Sequence, residues 1–155
     1  EGRIPGLNGN LIPEHHLSIT SHVILNQKES SEIFTGKLDL SSLGAVGHSF
    51  GGAVVIKAAP FSESVKGVIS LSSQTYGASE VADVSPRPLL LIHGEADTVL
   101  SPESSRRIFD WAQEPKELRL FPGTGHGLAE SAEEIGGLVE SWILGHLYLP
   151  GEARS

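Results

Sequence analysis

The chain has 155 residues, 39% of them apolar and 19% charged, with a formal net charge of −8, which is the size and composition of one globular domain with a core. That charge disfavours nucleic acid and anionic membrane surfaces as partners, and no apolar run reaches the roughly 18–20 residues that span a bilayer. The absence of cysteine excludes disulfides, thiolate metal sites and a cysteine nucleophile.

In chain order, Glu1-Gly2-Arg3-Ile4-Pro5 lacks the basic-then-apolar pattern of a secretion signal. Residues 1–35 read as an irregular to helical N-terminal segment: glycine and proline interrupt its start, and β-branched Ile19, Thr20, Val23 and Ile24 weaken a helix over 16–34. The chain has no methionine, position 1 included, so it is expected to be processed or a piece of something longer. Residues 36–149 form the readable α/β portion, followed by a tail at 150–155. Leu43-Gly44-Ala45-Val46 predicts a buried strand ending at Gly47. A short helix follows over 51–59, closed by Pro60. Residues 65–71 predict a second strand and 88–93, apolar on both faces, a third. Ser101-Pro102-Glu103 predicts a capped helix start, with Ile108, Trp111 and Ala112 on one face. Residues 118–121 predict a fourth strand. A last helix is expected over 128–147, with Ile135, Leu138, Val139, Trp142 and Ile143 at helical spacing. Strands alternating with helices predict an α/β fold: a mostly parallel sheet with helices on both faces.

Three segments carry chemistry. Gly47-His48-Ser49-Phe50-Gly51, followed by Gly52, is a G-x-S-x-G sequence between a strand and a helix. There a tight turn can hold Ser49 with its hydroxyl projecting, glycine at 47, 51 and 52 allows close chain approach, and the helix N-terminus favours negative charge. Asp97 lies just after the third strand, where a carboxylate can orient a histidine; Glu95 is the competing acid. His126 follows the fourth strand between Gly125 and Gly127 and is the candidate base. His48 reads as a packing residue of the turn and His93 as a strand-end residue supporting the acid loop. Histidines 15, 16, 22 and 146 read as structural or surface residues.

Serine, acid and histidine in this order, each after its own strand, resemble the α/β-hydrolase superfamily over residues 36–148. The phrases Val68 to Ser73 and Glu117 to Phe121 look like its uncapped esterase and dienelactone-hydrolase branch. The resemblance implies that the four strands are the family's fifth to eighth. It also implies a catalytic triad of Ser49, Asp97 and His126, an oxyanion donor in the Phe50 backbone N–H, and no cofactor or metal. A dienelactone hydrolase proper would be expected to carry cysteine where this chain has Ser49, so the resemblance favours an ordinary serine esterase. It further implies a second oxyanion donor after the family's third strand, for which no candidate is identified. The family's first four strands find no room in residues 1–40, so a fragment of a larger enzyme is expected.

The leading expectation is therefore a serine hydrolase cleaving a small-molecule carboxylic ester through an acyl-enzyme. The same residues would serve a thioesterase, peptidase or acyltransferase, and they leave compartment and oligomeric state open. One alternative is a catalytically impaired fragment that binds or assembles through an open sheet edge, self-association included. Another takes His93, Asp97 and His126 as metal ligands, which would leave the serine turn unexplained.

Overall fold

A computed structural model describes residues 43–147. Its four strands are β1 (Leu43–His48), β2 (Val65–Leu71), β3 (Leu89–Gly94) and β4 (Lys116–Phe121). They form one parallel sheet whose spatial order follows chain order. The helices are α1 (Phe50–Ala58), α2 (Glu103–Trp111) and α3 (Ala132–His146), with short 3₁₀ turns at Ala59–Phe61, Val81–Val84 and Ala129–Ser131.

The period-2 alternation of strand side chains separates the core into two layers. Val68, Leu89 and Leu91 face α1, α2 and the Val81–Val84 turn, where they meet Ala53, Ile56, Val84 and Ile108. Ile69, Leu90 and Ile92 face the other way and pack with Phe121, Leu128, Ile135 and Trp142 of the β4–α3 region. β3 is buried along its whole length, as expected of a strand covered on both faces. This is the parallel, two-sided α/β architecture that the sequence predicts.

Several boundaries differ from expectation. β1 runs through Gly47 to His48, so the turn between strand and helix is Ser49 itself. α2 begins at Glu103, and Ser101 Oγ accepts the Glu103 amide at 3.3 Å. Trp111 is exposed rather than part of the α2 core face; Ile108 and Ala112 are buried there, with Phe109 packed against them. The last helix starts at Ala132 and not at Leu128, because Leu128 takes a left-handed conformation (φ 59°) that no α-helix can include. The segments 1–35 and 150–155 lie outside the described residues.

Candidate active site

Ser49 sits between β1 and α1 with φ 58° and ψ −122°, a backbone conformation that is rare for any residue with a side chain. Its neighbours force the turn to be tight. A Cβ on Gly47 would collide with the Gly51 carbonyl oxygen, so only glycine fits there. The Ser49 amide is held by the Leu71 carbonyl at 2.8 Å, and its own carbonyl accepts the Gly52 amide at 3.0 Å. A serine before a helix ordinarily caps it with its hydroxyl. Ser49 makes no such cap bond, so its hydroxyl is not consumed in stabilising α1. Phe50, whose amide opens α1, is 42% exposed.

Asp97 lies in the turn after β3, with its side chain fully buried. Four donors converge on the carboxylate. Oδ1 accepts the amides of Val99 at 2.8 Å and Leu100 at 2.9 Å. Oδ2 faces His126 Nδ1 at 2.7 Å and His93 Nε2 at 3.0 Å. Burial alone would raise the Asp97 pKa. The amide bonds from Leu100 and Val99 and the bond and charge of His126 outweigh it and hold the carboxyl below its ordinary value. An ionised carboxylate only accepts, so Nδ1 of His126 carries a hydrogen, and in the neutral imidazole the lone pair is then at Nε2.

The acid and histidine loops are built against each other. The Glu95 amide bonds the Phe121 carbonyl at 2.9 Å, and the Ala96 amide bonds the Thr124 carbonyl at 3.0 Å. A Cβ on Gly94 would strike that same Thr124 carbonyl. Glu130 accepts the Gly125 amide at 3.1 Å, and bonds to its own and the Gly125 amides lower its pKa. Leu128, buried in the second core layer, anchors the far end of the histidine loop. Glu95, the competing acid, is exposed and pairs with Arg106 at 3.4 Å.

The structure thus joins Asp97 to His126, and leaves Glu95 outside the pair. Among the described residues the Ser49 hydroxyl makes no hydrogen bond, so the serine is not joined to Nε2 in this conformation; such bonds are often long in the absence of substrate. What links the serine turn to the histidine loop is His48, whose Nε2–H donates to the His126 carbonyl at 2.8 Å. Sequence reading takes His48 as packing and gives Ser105, a partner of His93, no role. The position of His48 beside the serine is a signal for the first; nothing in the sequence marks the second. A cavity of about 760 Å³ flanks α1, lined by Phe50, Val54, Lys57, Phe61 and Tyr76 among others. Ser49, Asp97 and His126 do not line it.

Comparison with known proteins agrees with this architecture. A 50-residue stretch, 32% of the chain, is 48% identical to the uncharacterized protein YfhR of Escherichia coli K12 and spans 18% of that protein's length. The esterase domain of a Rhodothermus marinus protein superposes with a TM-score of 0.62 at 20% identity, over 67% of this chain and 60% of that one. A dienelactone hydrolase from Anabaena variabilis gives 0.61 at 25% identity, over 68% and 50% respectively. The chain matches less than two thirds of the length of each of these three. The model of the alpha/beta hydrolase family matches residues 14–127, well over half the chain, and the chain belongs to that family.

Proposed function

We propose that this chain carries the catalytic centre of a serine hydrolase that cleaves a small-molecule carboxylic ester through an acyl-enzyme intermediate. The observation that carries the reading is the pairing of two features at one edge of the sheet. One is a strained serine turn whose hydroxyl caps nothing; the other is a histidine held at 2.7 Å by a buried carboxylate. Ser49 Oγ attacks the ester carbonyl carbon as His126 Nε2 takes its proton, and Asp97 stabilises the imidazolium. The Phe50 backbone N–H at the start of α1 faces the oxyanion. The intermediate collapses with proton return from His126 to the departing alcohol. Water, deprotonated by His126, then attacks the acyl carbon and releases the acid, freeing Ser49. The esterase domain and the dienelactone hydrolase among the structural neighbours support a carboxylic ester as the substrate class.

The test uses a fluorophosphonate, which phosphonylates activated serines, with a short-chain nitrophenyl ester assayed in parallel. The expected result is a single adduct on Ser49 and ester turnover that Ser49→Ala abolishes. An adduct mapped to another serine, or none on folded protein, overturns the assignment.

A further inference from the structure

The proposed chemistry leaves one fully buried imidazole without a role. His93, in β3, is 0% exposed, yet both its ring nitrogens are engaged. Nε2 lies 3.0 Å from Asp97 Oδ2 and 3.0 Å from the Leu100 carbonyl oxygen. Both are acceptors, so Nε2 carries the hydrogen and shares it between them. In the neutral ring Nδ1 then holds the lone pair, and the Ser105 hydroxyl of α2, 2.7 Å away, is placed to donate to it. The network therefore defines the tautomer of the neutral ring.

From this we infer that His93 is a positioning residue for the acid–base pair, fixing the Asp97 carboxylate so that Oδ2 is presented to His126. The inference rests on the proposed roles of Asp97 and His126. The amides of Val99 and Leu100 hold Oδ1 but leave the carboxyl able to swing about that end; the His93 bond removes this freedom. His93 also draws on the same lone pairs that His126 uses, so it moderates the basicity of the carboxylate. An apolar ring of similar size would fill the space but leave the Leu100 carbonyl and the Ser105 hydroxyl without this partner, a cost for buried polar groups. The other titratable groups around the cluster are His48, whose ring centroid is 4.8 Å from that of His126, Glu130 on the Gly125 amide, and the exposed Glu95–Arg106 pair.

The decisive measurement is imidazole ¹⁵N NMR on the 155-residue chain, joined to ¹³C titration of the Asp97 carboxyl. In the wild type, the neutral form of His93 should show a protonated Nε2 and an unprotonated Nδ1. In His93→Phe the Asp97 midpoint should move up by on the order of one pH unit. Nitrophenyl ester kcat should fall about tenfold or more, with KM unchanged because a buried ring touches no substrate. His93→Gln, which keeps an N–H donor, should recover much of both. A His93 with its hydrogen on Nδ1, or a folded His93→Phe protein with an unmoved Asp97 midpoint, overturns the proposal. If the phenylalanine variant does not fold, the wild-type tautomer alone decides. Labelling of Ser49 together with a failed NMR result removes His93 and keeps the hydrolase reading; the reverse pattern keeps His93 as the anchor of Asp97 and removes the hydrolase reading.

Discussion

The His48 ring donates to the backbone carbonyl of His126 at 2.8 Å, and the two rings meet at a centroid separation of 4.8 Å. One residue before the proposed nucleophile thereby holds the loop that bears the proposed base. His48→Ala should lower kcat about threefold to tenfold, the worth of one such bond, while Ser49 remains reactive toward a fluorophosphonate. His48→Gln, which keeps a donor, should lose less. Steady-state kinetics on both variants check this.

The two acids separate by environment. Asp97 is buried and bonded to His126; Glu95 is exposed and pairs with Arg106. Asp97→Asn should reduce turnover by roughly 10⁴, as loss of an orienting carboxylate does in a related triad. Glu95→Gln should stay within about threefold of wild type, since exposed ion pairs contribute little. Parallel ester assays distinguish them, and a reversed order would transfer the role to Glu95.

Acid sensitivity follows from the direction of the Asp97 shift. Its folded pKa lies below the ordinary value, so between the two values the unfolded chain binds the extra proton and stability rises with pH. The contribution is complete above the ordinary value near 3.9 and is lost as pH falls through the folded one. The stability difference between wild type and Asp97→Asn should therefore narrow as pH falls from about 5 toward 3. Urea unfolding at stepped pH measures it.

Gly94 stands where the acid and histidine loops touch backbone to backbone, with the Thr124 carbonyl in the path of any Cβ. Gly94→Ala should cost at least ~1–3 kcal/mol of overpacking and lower kcat as well, because the shift separates the loops that align Asp97 and His126. Chemical denaturation and turnover on the same preparation read both effects.

How much of this is legible in the sequence depends on how local the cause is. The continuous run Leu89 to Ile92 announces a strand buried on both faces, and it is one. The order of Ser49, Asp97 and His126, each after its own strand, anticipates their placement at one edge. The exposure of Trp111 is not legible, because helical spacing shows which residues share a face and not which of them the sheet reaches; Phe109 packs there instead. The late start of α3 turns on one left-handed residue, Leu128, whose side chain gives no hint of it. His93 and Ser105 are 12 positions apart and meet only because α2 folds back over β3. The family match begins at residue 14, in a stretch where no turn motif or periodicity stands out.

Because the strands lie side by side in chain order, the site divides along the sequence. The first half, through β2, contributes the serine turn. The second half, from β3 onward, contains Asp97, His126, His93 and Ser105 with every bond among them. The connection between β2 and β3 contributes no hydrogen bond to Asp97, His126 or His93, and it presents Tyr76 at 80% exposure. It is thus a place where inserted chain can change the surroundings of the serine turn while the bonds among Asp97, His126, His93 and Ser105 stay in place. Under the proposed hydrolase reading, substrate preference can drift there while the network around Asp97 is kept.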